Sequence, residues 1–173
     1  ALKKRITRKK IKIIQITSKS ANHDIRLSLR NGGLFFDKGF HFFDLACWLG
    51  DSLPSKIIVI AKPISTNKFL RYGDFSDAAI NMRLKNGVNV KLVFSRKCRT
   101  GNVEKIQIYG ENLHFNSDDF SNKKYLYKDF SIRHKDTYLK CLKKFLSSKN
   151  NLFLKEGVNT QKICENALKL ASR

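Results

Sequence analysis

Polar and apolar positions alternate along KIKIIQITS, residues 10–18, and the run is rich in β-branched side chains. Period-2 alternation of that kind predicts a strand. A loop carrying Asn22, His23 and Asp24 follows, and Gly32-Gly33 then breaks the chain. The next stretch is aromatic and apolar at helical spacing, which predicts a helix over 34–49 stopped by Gly50 and Pro54. SKIIVIAK reads as a second strand. AAINMRLK and VNVKLVF are two alternating runs joined by Asn86-Gly87, the pattern of a β-hairpin closed by a type I′ turn. EKIQIYG and NLHFNS are shorter strands, and KKYLYKDF reads as an edge strand. Ile132, Leu139, Leu142, Phe145 and Leu146 recur at helical spacing, as do Ile163, Ala167, Leu168 and Ala171.

These elements describe an α+β fold, an open and mostly antiparallel sheet with helices on one face. A sheet covered on one side leaves its other face available, so homo-oligomerisation through that face is expected. No repeat and no low-complexity linker divides the chain, which reads as a single domain over 1–173. Hydrophobic residues make up 42%, enough for a core and against global disorder. No apolar run approaches the roughly 18 residues of a membrane span, and no apolar segment follows the charged start as a secretory signal requires.

Lys and Arg number 35 against 14 Asp and Glu, a formal charge of +21. The densest cluster is Lys3, Lys4, Arg5, Arg8, Lys9, Lys10 and Lys12. Charge of this size favours polyanions, so a basic nucleic-acid-binding domain is one alternative. No helix-turn-helix, zinc-finger or RNP-type signature accompanies it, and the contact it implies is non-specific. Cys47, Cys98, Cys141 and Cys164 form no C-x-x-C pair. They read as free thiols in a reducing compartment, with the cytoplasm as the default.

Candidate chemistry is concentrated in GGLFFDKGFHFFDLACWLG, residues 32–50. Asp37, His41 and Asp44 are spaced to share a helical face. A histidine flanked by carboxylates suits a general acid/base, with one carboxylate fixing the ring and the other taking a substrate hydroxyl. The two glycines allow close approach of the backbone to a ligand. A third ligand and a second histidine are missing, so no metal site is expected. Trp48 and the surrounding phenylalanines read as core; Arg96 and Arg99 follow the hairpin strand, where they could face the cleft, but read as solvated cations at a strand end. There is no G-x-G-x-x-G and no Walker A loop.

The same run resembles the G-G-x-x-x-D-x-x-x-H-x-x-D signature of the glucose–fructose oxidoreductase/inositol dehydrogenase/rhizopine-catabolism (Gfo/Idh/MocA) family, in its C-terminal half. KIKIIQITSKS, the hairpin with its following Ser-Arg, and the two closing helices resemble further stretches of that half, in order. The resemblance is strongest to inositol 2-dehydrogenases. It implies the substrate-binding and oligomerisation half of an NAD(P)-dependent dehydrogenase that oxidises a secondary alcohol of a polyol or sugar. NAD or NADP is then bound by a Rossmann half absent from these 173 residues, together with the family's catalytic lysine. Carried over, His41 is the general acid/base, Asp37 binds and positions substrate, and Asp44 orients or supports. His23 approaches substrate from its loop. Asn102 stands where the inositol branch has a substrate-contacting tyrosine, and Cys141 stands at an acidic position. Those two departures keep a second alternative open, a non-catalytic protein-interaction module that retains the fold.

Overall fold

The computed structural model describes residues 10–20, 25–98, 102–117, 139–140, 142–143, 146–147 and 152–172. The basic lead before Lys10, His23, Arg99, Cys141 and the expected edge strand over 123–130 lie outside the described residues. Six strands form one sheet: β1 (Ile11–Lys19), β2 (Pro54–Lys62), β3 (Asp77–Leu84), β4 (Asn89–Ser95), β5 (Val103–Gly110) and β6 (Leu113–Asn116). Their order is β2-β3-β4-β1-β5-β6, and only the central β1–β4 pair is parallel. The helices are α1 (Ile25–Arg30), α2 (Phe40–Gly50) and α3 (Leu152–Ala171). A π-helical turn (Leu34–Gly39) precedes α2, and a 3-10 turn (Asn67–Tyr72) lies between β2 and β3. The expected open, mostly antiparallel sheet with helices is therefore the observed architecture.

The alternation read from the sequence decides which side of each strand is buried. Ile14 and Ile16 of β1, Ile80, Met82 and Leu84 of β3, Val90, Leu92 and Phe94 of β4, and Ile108 of β5 all face inward. Phe35, Phe43, Ala46 and Leu49 close over them from the π-turn and α2, and Ile163, Cys164 and Ala167 from α3. Each large side chain sealed in this way contributes about 1.5–3 kcal/mol. The opposite sheet face keeps Ile13, Ile58 and Ile60 exposed, beside Asn81, Arg83 and Lys91. Among the described residues no helix is long and apolar enough to cross a membrane.

Three local expectations change. The hairpin turn is not type I′, because Gly87 has positive φ and Asn86 does not. The Leu84 amide donates to the Val88 carbonyl at 2.8 Å and the Gly87 amide to the Leu84 carbonyl at 2.9 Å, leaving Lys85, Asn86 and Gly87 as the loop. Tertiary contacts select this form. Asn86 Nδ2 donates to the Gly50 carbonyl at 2.7 Å, and the Lys85 amide donates to the Leu53 carbonyl at 2.9 Å.

Trp48 is not core. The residue is 43% exposed. The inward stripe of α2 runs through Phe43, Ala46 and Leu49, which turns Trp48 toward a groove shared with Asp44, Asp51 and Asn159. The helix expected from Leu34 begins as a π-turn, and the short helix α1 has no counterpart in the sequence reading. Six residues are too few for a periodic apolar signal. In the first closing helix, Leu139, Leu142 and Leu146 are exposed.

Candidate active site

The chemistry-bearing residues collect where β1 and β4 end and β5 begins. Lys38, on the π-turn, binds this sheet end directly. Its Nζ donates to Ser20 Oγ at 2.7 Å and to the carbonyls of Ser95 and Ser18 at 3.2 and 3.3 Å. All three ammonium donors are thus used to hold the π-turn against the two parallel strands. Asn102 lies exposed just before β5 at the same end, where Val103 pairs with Lys19.

Gly33 starts the π-turn with φ 82° and ψ −171°, a region populated almost only by glycine. The sequence suggested that this glycine admits a ligand. It admits Asp74 instead. A Cβ on Gly33 would lie 2.9 Å from Asp74 Oδ1. That oxygen accepts the Leu34 amide at 3.0 Å, and Oδ2 accepts the Ser28 hydroxyl at 3.4 Å. Asp74 therefore fastens the start of the site helix from a loop some forty residues away.

Arg96 corrects a second expectation. It is not a solvated cation, since its side chain is fully buried. Nη1 lies 3.0 Å from Asp74 Oδ2, Nη2 lies 4.0 Å from Asp37 Oδ2, and the guanidinium sits 4.9 Å from the centre of the Phe69 ring. Burial pulls its pKa down, and the Asp74 and Asp37 carboxylates oppose that pull. An arginine survives at such depth because two carboxylates surround it.

Asp37 is half-buried, and its Oδ1 accepts from Asn31 Nδ2 at 2.9 Å. His41 opens the first turn of α2 and is exposed, with its ring edge-on to Phe40 at 6.1 Å. Among the described residues no carboxylate hydrogen-bonds the His41 ring. Asp37, spaced to project beside the ring, instead accepts from Asn31 and faces Arg96. Asp44 points the other way, accepting from Thr160 Oγ1 of α3 at 3.3 Å. The structure thus gathers Asp37, Lys38, Arg96 and Asp74 into one cluster, with His41 one turn further and Asp44 tied to α3. Of these, Asp74 carried no signal in the sequence, and Lys38 and Arg96 were read without a role.

Comparisons with known proteins identify the family. Residues 10–115 match the model of the GFO/IDH/MocA C-terminal domain. The chain belongs to this family. A myo-inositol 2-dehydrogenase of Thermotoga maritima is 24% identical over 131 residues, covering 68% of this chain and 39% of that protein. An uncharacterised oxidoreductase of Bacillus subtilis is 24% identical over 139 residues, 73% of this chain and 41% of the relative. The Gfo/Idh/MocA chain thus spans about two fifths of the curated relatives it matches. Among solved structures, a myo-inositol dehydrogenase from Corynebacterium glutamicum superposes with a TM-score of 0.80 at 16% identity, over 98% of this chain and 57% of that one. A scyllo-inositol dehydrogenase from Lactobacillus casei with bound NAD(H) and scyllo-inositol gives 0.79 at 18%, over 98% and 57%. At such identities the superpositions establish the fold.

Within this Gfo/Idh/MocA domain the amine of Lys38 has an unusual titration. Burial pushes it from 10.5 down to about 8, and Arg96 adds to the effect against Glu104, Asp37 and Cys98. Between those two values the unfolded chain binds more protons than the folded one, so stability rises with pH. Burial raises the Cys47 and Cys164 thiols from 9.0 to about 11 and about 12, which reverses the slope above pH 9. In urea unfolding the stability of the wild type relative to Lys38→Met should therefore rise by about 1 kcal/mol from pH 8 to 9, the cysteine contributions being common to both proteins. Equal slopes in the two proteins would contradict this account.

Proposed function

We propose that this chain is the substrate-binding and oligomerisation half of an NAD(P)-dependent dehydrogenase that oxidises a secondary alcohol of a polyol or sugar. One observation carries the reading. In a domain of this family, an exposed His41 follows by one turn a carboxylate, Asp37, that accepts from Asn31 Nδ2 and is faced by the buried Arg96. A part-exposed carboxylate with several lone-pair sites can accept a substrate hydroxyl, and an exposed imidazole can take the proton that leaves.

The division of labour follows from what these residues contain. They include no dinucleotide-binding turn, so the nicotinamide, NAD or NADP, belongs to a Rossmann half outside them. The cofactor supplies the hydride acceptor. This chain supplies the proton acceptor, His41, and the positioning carboxylate, Asp37. Asn102, exposed at the same sheet end, and His23 are the further residues assigned to substrate contact. Asp44 supports the helix by its bond from Thr160. The open sheet face, with Ile58 and Ile60 exposed at 48% and 56%, is the surface for self-association. The free thiols of Cys47 and Cys164 suit a reducing compartment such as the cytoplasm.

The test uses the complete polypeptide that carries this chain, with NAD and NADP, against a panel of inositols, linear polyols and sugars. Reduction of nicotinamide by at least one panel member is the expected result. A folded, complete protein that oxidises none of them would leave the interaction module as the better account.

A further inference from the structure

The guanidinium of Arg96 is divided in an uncommon way. A buried arginine that serves only as a core ion pair does best with both terminal amino groups on one carboxylate, the bidentate fork. Here the fork is split. Nη1 faces Asp74 at 3.0 Å, while Nη2 is turned to Asp37 at 4.0 Å. Among the described residues none of Nε, Nη1 and Nη2 makes a hydrogen bond, the 3.0 Å contact lying off the N–H direction. Buried donors left in this state are costly, and charged ones most of all. The backbone holds the residue in place, since the Arg96 amide donates to the Ser76 carbonyl at 2.9 Å, and Phe69 covers the guanidinium. Asp74 is itself fixed by the Leu34 amide and the Ser28 hydroxyl. Of the two carboxylates that face Arg96, Asp37 is the more exposed, with 17% of its side chain accessible against 7% for Asp74.

We infer that Arg96 is a positioning residue for the proposed oxidation, acting through Asp37, whose Oδ2 it draws toward Nη2 when a substrate hydroxyl engages the carboxylate. Asn31 donates to Oδ1 at 2.9 Å, so the two residues address different oxygens of the carboxylate, Arg96 from the core and Asn31 at the surface. A carboxylate has about four lone-pair sites, so it can accept a hydroxyl donor alongside its protein partners. Arg96 itself touches no substrate, because its side chain has no exposed surface. The inference rests on the dehydrogenase reading and assigns that reaction a residue beyond the histidine and aspartate of the family motif.

The experiment is a double-mutant cycle on the complete polypeptide, using the best panel substrate. Arg96→Lys keeps the charge but offers a single ammonium in place of a fork that spans two carboxylates. Arg96→Gln keeps a donor and loses the charge. Each folded variant should lose about tenfold or more in kcat/KM in the wild-type background and less than about twofold in the Asp37→Asn background. Equal losses in both backgrounds, or activity within about twofold of wild type, overturn the inference alone. Failure of both variants to fold also overturns it, in favour of a purely structural arginine. Absence of activity in the wild-type protein removes the proposed function, and the inference with it.

Discussion

Replacing Asp74 with alanine is expected to destabilise the domain by about 3–5 kcal/mol, because it strands a charge in the core. The carboxylate is 5% exposed and lies 3.0 Å from Arg96 Nη1. Without it, Arg96 keeps only Asp37, at 4.0 Å, as a counter-charge among the described residues. The Leu34 amide, which Asp74 now satisfies at 3.0 Å, loses its acceptor at the same time. Equilibrium urea unfolding measures the loss. The informative comparison is Asp74→Ala with Arg96→Leu, since removing both charges should restore a large part of what one substitution costs. If the double variant is no more stable than Asp74→Ala, the charge is not the source of the loss, and the packing of the 3-10 turn on α1 becomes the explanation.

The other large effect is on activity. His41→Ala in the complete polypeptide should lower kcat/KM for a polyol by about 10²–10⁴-fold, the usual worth of a positioned general base. It should change stability by no more than about 0.5 kcal/mol, because the ring is exposed and its one described partner is the edge-on Phe40. The two numbers must be read together. A large kinetic loss with intact stability assigns the proton transfer to His41. Unchanged kinetics in a folded variant would move the base elsewhere and return the aspartate–histidine spacing to a structural feature.

The two effects differ in how far the sequence foretold them. Asp37 and His41 stand four apart in a run of apolar residues, and a polar pair there is visible to the eye. What could not be seen is where the carboxylate goes. The spacing paired Asp37 with the imidazole, whereas Asn31 and Arg96 address it in the fold. The π-turn contributes to this, since side chains spaced for an α-helix are rotated apart when the first turn is widened. Gly33 was equally visible, and its neighbour was misjudged. Glycine advertises a close approach without saying what approaches, and Asp74 is far away along the chain.

The sequence by itself determined the strands, the side of each strand that is buried, the helical stretches that cover the sheet, and the family motif that marks residues 32–50. These are local matters. Alternation and helical spacing report which face of an element is apolar, and an apolar face must be covered whatever the partner. Tertiary structure alone decided that Arg96 is inside, that Lys38 closes over the ends of β1 and β4, and that the hairpin turn is shaped by Gly50 and Leu53. The physical reason is common to all three. A polar group is buried only where distant partners meet its charge and its hydrogen bonds, and those partners come together only when the chain packs.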